Sequence, residues 1–554
     1  MAIDRAREPE KRRLASGLPA SLILIFALIG AAALSLPLVL PLGPNSWDTL
    51  VYYDAIHRIR MGQTPGVDFF APVGPLGYYL AAWLDGMFPR AQPMLLVNWA
   101  LLPVMALLTG HVAARSCGQA LALLLPFLLF ASLPINLQSI YAISGFDGYG
   151  HYNRHVALLL YALVATLIFA TDRRLLVGLV ALLMLTLFLV KVTGAVSGAL
   201  LVGYAILVGR LRRFDAVLLA ALVLAPLVAL DLATGMVRAY IADIWILLRL
   251  NGGSLSRRFL TVASLNLNVL APCVLILGAL TYAAWRERHS WVGVGARADS
   301  PLGWLAVVLV AIAVFESQNT GSLEFIGLWP VFLLLLIDGR TRQDMLGRIV
   351  LLLCLAAVLP STVAFLQRSA RATLSAMVYQ GLDLGTLGTV GQVSANAAIT
   401  ERAPIMLEHY AAQQAGYRDL AARGQMPSHL LSSQIDYQAT WLLELQQGVL
   451  AVRAWEAAAG RRLNGVFSLD FVDPLNRLLG REPPRHVAIG MDPMRTMPPL
   501  TPETLAALDR TDAILQPACP PMATRAKIAA HFASALEGRR HVTLAPCWDM
   551  YLKP

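Results

Sequence analysis

The chain has 554 residues, of which 57% are hydrophobic and only 14% charged, a balance far from that of a soluble globular protein. Its 44 Lys and Arg against 34 Asp and Glu leave a net charge of +10, but the basic residues gather in short connections between apolar runs. That is the positive-inside pattern of a polytopic membrane protein, and it excludes a nucleic-acid partner as the reason for the basic balance.

In chain order, the first apolar run, residues 19–42, follows the basic stretch "RAREPEKRR". It exceeds a usual signal-peptide core and no small-residue cleavage pattern closes it, so it predicts a retained transmembrane helix. At roughly 20 apolar residues per crossing, about eleven candidate spans emerge. They lie near 19–42, 93–114, 119–135, 155–171, 175–190, 192–209, 216–233, 261–284, 302–316, 323–337 and 347–367. With the N-terminus cytoplasmic, the inside connections contain "KRR", "AARS", "TDRR", "RLRR", "WRERH" and "DGRTRQD", all of them basic. The same threading puts outside the long first loop 43–92, the loop 136–154, the loop 234–260 and the turn "ESQNTGS". An odd number of spans also places the C-terminal region outside. No internal repeat marks the inverted halves of a secondary transporter.

Ionisable residues at the rim of a membrane are costly, and here they collect on one side. The first loop opens with "WDTLVYYDAIHRIRMG", whose apolar positions Leu50, Val51, Ile56 and Ile59 recur as in an amphipathic helix on the membrane surface. It continues through "GQTPGVDFFAPVGPLGYYL", a Gly/Pro-punctuated turn into a second, aromatic-rich helix. The second loop, "YAISGFDGYGHYNRHV", brings Asp147 and His151. Lys191 stands at the outer end of a span, Arg257 and Arg258 precede another, and Glu316 ends a third.

This order resembles the GT-C superfamily of integral-membrane glycosyltransferases, which includes the protein mannosyltransferases and the lipid A aminoarabinose transferases. The superfamily carries an acidic residue just after span one, then a Tyr, an Ala three residues on and a later Gly, and a Pro-containing stretch before a second helix. The chain matches it at Asp48, Tyr52, Ala55, Gly62, Pro65, Asp68, Pro75 and Leu76. The resemblance implies a sugar taken from a polyprenyl-phosphate carrier and passed, with inversion, to an acceptor in the cell envelope: a glycan, a lipid or a protein. It also implies a bacterial inner-membrane enzyme whose site faces the periplasm.

Inverting transfer needs a carboxylate to take the acceptor proton and cations to meet the departing phosphate. Asp48 is the expected base, with Asp147 assigned as the second-loop acid. Tyr52, Arg58, Arg60, Asp68, His151, Lys191, Arg257, Arg258 and Glu316 are the expected substrate-binding residues. The aminoarabinose transferases place a Lys before a Pro-Pro of the first loop, where this chain has "PVGPLGYY" and no Lys, so the phosphate contact must come from elsewhere. A divalent cation, magnesium or manganese, stays open as a cofactor. Asp48 has a plainer reading as a helix cap, and Asp54, His57 and Arg58 as a solvated helix face. A transporter or flippase of lipid-linked glycans, or an O-antigen ligase or polymerase, are the alternatives to a transferase.

From residue 368 the composition turns polar, which predicts a separate extracytoplasmic α/β domain over 368–554 behind a transmembrane domain over 1–367. Strands are expected at "HVAIGMD", "DAILQPAC" and "HVTLAPCW", and helices at 502–511 and 520–537. Asp470, Asp473 and Asn476 in "FSLDFVDPLNRLLG" read as a turn opening a helix. Cys519 and Cys547 share this polar region, and their pairing is left open.

Overall fold

The computed structural model describes residues 3–115, 119–137, 145–252, 255–286, 299–317, 325–337, 345–426 and 434–554. Residues 318–322 of the "ESQNTGS" turn and 141–144 of the second loop lie outside the described residues. The chain is mostly helical: α1 (Ile3–Ser35), α2 (Asp48–Arg60), α3 (Pro75–Met87), α4 (Pro93–Trp99), α5 (Leu102–Arg115), α6 (Ala120–Ser132), α7 (His151–Phe169) and α8 (Arg173–Val190) come first. They are followed by α9 (Val192–Leu207), α10 (Arg213–Thr234), α11 (Met236–Asn251), α12 (Leu255–Leu265), α13 (Leu267–Arg286), α14 (Pro301–Glu316), α15 (Trp329–Ile337) and α16 (Met345–Val378).

Among the described residues, seven helical stretches are long and apolar enough to cross a membrane: Gly17–Ser35, Pro93–Val112, α7, α8, α10, α13 and α16. Helices α6, α9, α14 and the stretch Ile326–Ile337 are apolar but shorter. Over the described residues the apolar runs read from the sequence lie mostly on helices, except that 19–42 runs past α1 into a short strand at Leu40–Pro41, and 93–114 and 261–284 are each shared between two helices. Helix α7 is the axis, buried at every residue from Asn153 to Ile168, with α5, α8, α9 and α15 around it. At the periphery α1 leaves Leu24, Leu28 and Ile29 exposed, and α10 leaves Val217, Leu224, Val228 and Leu232 exposed. Helices apolar on their protein-free faces are what a bilayer, rather than water, would solvate.

Helix α16 continues to Val378, past the end of the last apolar run, so the change of composition falls within one helix. Beyond it lie α17 (Ala397–Ala412), α18 (Gln414–Ala422), α19 (Ile435–Ala459), α20 (Leu475–Leu479), α21 (Pro502–Arg510), α22 (Ala523–His531) and α23 (Ala533–Leu536). A short sheet stitches the end of α1 to this region: β1 (Leu40–Pro41) runs parallel to β3 (Val393–Ala395), which pairs antiparallel with β2 (Gln380–Gly381). A larger sheet has the order β4-β5-β7-β6. In it β4 (Val466–Ser468) lies parallel to β5 (Ala513–Pro517), and β7 (Trp548–Leu552) pairs antiparallel with both β5 and β6 (Arg540–Ala545). The expected strands at 512–519 and 541–548 correspond to β5 and to β6 with the start of β7, and a disulfide joins Cys519 to Cys547.

The third expected strand, "HVAIGMD", is a connector instead. Phe70 of the first loop donates its N–H to Val487 O (3.1 Å) and accepts from Ile489 N (3.1 Å), while Met491 N donates to Phe471 O (2.8 Å). The segment thus ties the first loop to the C-terminal region.

Helix α2 does not lie on the membrane surface as its periodicity predicted. Its residues from Thr49 to Ile56, and Arg58, are buried between α3, α4 and α20. The polar residues that gave it an amphipathic look have partners inside the protein: Arg58 Nε bonds Asp54 (2.9 Å) and its Nη1 donates to Pro484 O (2.6 Å). His57 Nε2 meets Arg481 O at 2.7 Å. An acid in the first turn and bases in the last suit the helix dipole. Gly62, at φ 81°, ends the helix where a side chain would be strained.

Candidate functional site

The first and second loops are pressed together at glycines. Leu42 bridges Phe146, and the Phe146 N–H donates to Pro41 O at 3.1 Å. A Cβ on Gly43 would stand 1.9 Å from the Phe146 carbonyl oxygen, and one on Gly145 2.4 Å from that of Leu42, so no larger residue fits either strand. This contact sets the start of α2 against the start of α7.

Asp48 is the first residue of α2, but its carboxylate crosses to the second loop and accepts the N–H of Gly150, the residue that caps α7. The Asp48 side chain is partly exposed. Burial pushes its pKa up to about 8; the neighbouring carboxylates of Asp147 and Asp492 raise it further, and the Gly150 N–H and Arg495 oppose them. Asp147 is 3% exposed, and its Oδ1 accepts the Tyr149 N–H at 2.8 Å. Burial pushes it to about 7, with the Tyr149 N–H and the guanidiniums of Arg154 and Arg368 holding it down. Tyr52, one turn along α2, packs against Tyr78 (5.0 Å between rings) and meets His151 edge-on (6.1 Å). His151 Nε2 lies 3.4 Å from Thr49 Oγ1, a loose contact. A small crevice lined by Trp47, Thr49, Leu50 and Trp441 among others adjoins this end of α2.

Three cations from separate elements share one electrostatic neighbourhood, of which Arg495 is the one that reaches Asp48. Lys191 sits in the break between α8 and α9, where Val190 O is taken by the Gly74 N–H of the first loop (2.9 Å). Its Nζ donates to Asn153 Oδ1 at 2.6 Å and lies over the rings of Tyr152 (5.0 Å) and Phe315 (5.8 Å). Arg258, from α12, donates to Asn251 Oδ1 at 3.0 Å, and the Asn251 amide donates to Arg495 O at 3.1 Å. Arg495, in the turn after the connector, is half exposed and only 4.0 Å from Asp492. Lys191, Arg258 and Arg495 all lie within electrostatic reach of one another, and Glu316 reaches Lys191. Glu316 Oε1 also accepts the Phe325 N–H at 3.1 Å.

Asp48, Tyr52, Asp147, His151, Lys191, Arg258 and Glu316 are therefore brought together. Arg58, Arg60, Asp68 and Arg257 are not. Arg58 is fully buried in its pair with Asp54, Arg60 pairs with Asp85 at 2.7 Å, Asp68 holds Arg485 at 2.8 Å, and Arg257 is exposed. Sequence reasoning missed Asp492 and Arg495 as site residues; they lie more than 400 positions after Asp48 in the "GMDPMRT" stretch, whose start was read only as the end of a strand. It also missed Arg368, whose Nη1 donates to Asn136 O behind Asp147. Among the described residues no set of three His, Cys, Asp or Glu side chains is placed to hold a metal ion.

Fold and site define a multi-pass helical membrane protein with a cluster of carboxylates and cations where its helices end. No family model and no curated protein matches the chain. Among solved structures it is similar to the crystal structure of ArnT from Cupriavidus metallidurans bound to undecaprenyl phosphate, at 12% identity and a TM-score of 0.40, over 96% of this chain and 98% of that one.

Proposed function

We propose that the protein is an inverting membrane glycosyltransferase that moves a sugar from a polyprenyl-phosphate carrier to an acceptor hydroxyl or amine on the outer face of a bacterial inner membrane. What supports this reading is that two neighbouring carboxylates, Asp48 and Asp147, adjoin a group of three cations that come from separate elements. In the reaction the acceptor oxygen or nitrogen attacks the anomeric carbon, its proton passes to Asp48, and the bond from that carbon to the phosphate oxygen breaks. The electron pair leaves with the polyprenyl phosphate, where Lys191, Arg258 and Arg495 meet its charge. Asp147 positions the acceptor. The polar groups sit at helix ends, in the first turn of α2, between α8 and α9 and at the last residue of α14, rather than at the middle of spans. A transporter's coupling residues would be sought at mid-membrane.

The test is to incubate the purified full chain in nanodiscs with radiolabelled polyprenyl-phosphate sugars and an envelope glycolipid extract. Consumption of the donor with label appearing in acceptor supports transfer; donor crossing a vesicle membrane unchanged would replace it with transport. Lys191→Met is expected to weaken donor binding by roughly 10- to 100-fold, as loss of a charge-assisted contact does. Gly43→Ala is expected to lower turnover by about 100-fold through displacement of Asp48 from the second loop. Circular dichroism should show its helices intact.

A further inference from the structure

Lys191 is held by uncharged partners. Its Nζ donates to the Asn153 carbonyl oxygen at 2.6 Å and otherwise meets the faces of Tyr152 and Phe315, while Glu316, the carboxylate within electrostatic reach, has Oε1 on the Phe325 N–H. Asn153 is 1% exposed, and its Nδ2 has no hydrogen-bond partner among the described residues. A buried donor left over beside a cation without a bonded counter-charge is an arrangement that an anion completes.

Residue 153 is the third of α7, in the first turn, where a negative charge suits the helix dipole. An aspartate there has the same shape, could accept the same bond from Lys191, and would form an ion pair with it. The amide keeps the bond and leaves the ammonium charge uncompensated. We propose that Asn153 is a positioning residue that aims Lys191 at the phosphate of the lipid carrier without neutralising it, and that its own Nδ2 is a second donor to that phosphate. This rests on the transferase reading of Lys191 given above.

The comparison of Asn153→Asp with Asn153→Ala tests it, with Lys191→Met alongside, all in the full chain in nanodiscs. Binding of sugar-free polyprenyl phosphate and the donor KM are measured against kcat. Asn153→Asp is expected to weaken polyprenyl-phosphate binding and raise the donor KM by roughly 10- to 100-fold, more than Asn153→Ala does, with kcat changed less. A residue that merely holds the fold gives the reverse order, since the isosteric aspartate disturbs packing less than alanine; that order overturns the proposal. If Lys191→Met weakens phosphate binding and Asn153→Asp does not, the role of Asn153 fails while the phosphate reading stands. If Lys191→Met leaves binding unchanged, the phosphate reading falls and takes the proposal with it.

Discussion

Asp48→Asn is expected to lower sugar transfer by about 100- to 10,000-fold, the range of a lost general base, while donor binding stays within a few-fold of the parent. The amide is isosteric and can still accept the Gly150 N–H through its oxygen, so the start of α2 should hold its place against α7. What disappears is the ability to take a proton. The pH profile gives a second, independent reading. Asp48 and Asp147 are neighbouring acids with folded pKa values of about 8 and about 7, so they lose protons as a coupled pair in two steps.

A base works only when deprotonated. With a pKa of about 8, Asp48 is ionised in roughly a tenth of molecules at pH 7, and kcat/KM should climb about tenfold per unit as pH rises towards 8 and level off above it. Below pH 7 the slope steepens if both carboxylates must be ionised. Asp147→Asn removes a like charge that raises Asp48, so its acid limb should move to lower pH. An activity that is flat from pH 6 to 9, or an Asp48→Asn variant with near-parent turnover, would remove Asp48 from the base role.

How far such a site can be read from the sequence depends on the range of the contacts. The apolar runs are local signals, and they fell mostly on helices because some twenty neighbouring side chains carry the message. Asp48, Asp147 and Lys191 were legible because a charge beside an apolar run is conspicuous wherever it later folds. The misreading of α2 has a specific cause. Periodicity counts polar residues as solvent-facing, and the Asp54–Arg58 pair satisfies that pattern while being buried. Nothing in residues 47–62 foretells that Pro484 O and Arg481 O will cover Arg58 and His57. Asp492 and Arg495 escaped for the same reason: the turn that holds them is brought to the site by the Phe70 pairing with residues 487–489, a contact between distant segments with no local trace. The glycines at 43 and 145 were visible as residues but not as a pair, because their meaning is the close approach of one loop to the other.

That dependence on the C-terminal region makes Arg525→Met the change expected to cost most in stability. Arg525 Nη2 lies 2.7 Å from Glu444 Oε2 and 2.7 Å from Asp470 Oδ2, with all three side chains nearly inaccessible. Trp441 Nε1 donates to the same Asp470 oxygen at 2.8 Å, and the Cys519 N–H donates to Glu444 Oε1 at 2.6 Å. Removing the cation leaves two buried carboxylates facing each other, and breaking a buried pair in this way costs about 3–5 kcal/mol, a large part of a typical folding free energy of about 5–15 kcal/mol. Burial holds Glu444 at about 8 even with Arg525 present, above the ordinary 4.5 of a free glutamate. An acid whose folded pKa is raised binds more protons folded than unfolded, so its contribution to stability falls as pH rises between those two values. The deficit of Arg525→Met should therefore be larger at pH 8 than at pH 5, which thermal unfolding of the purified protein at the two pH values measures. Glu444→Gln combined with Arg525→Met should recover part of the loss, because one stranded charge is removed with its partner. The defect should also reach the chemistry: Phe471, next to Asp470, packs on Trp47 with 4.7 Å between ring centroids, and Trp47 immediately precedes Asp48. Transfer activity falling in step with the loss of the Arg525 network, in a protein whose membrane helices remain folded, is the result that ties this remote ion cluster to the carboxylate at the site. Unchanged activity and stability would show that the C-terminal region holds α2 by other contacts.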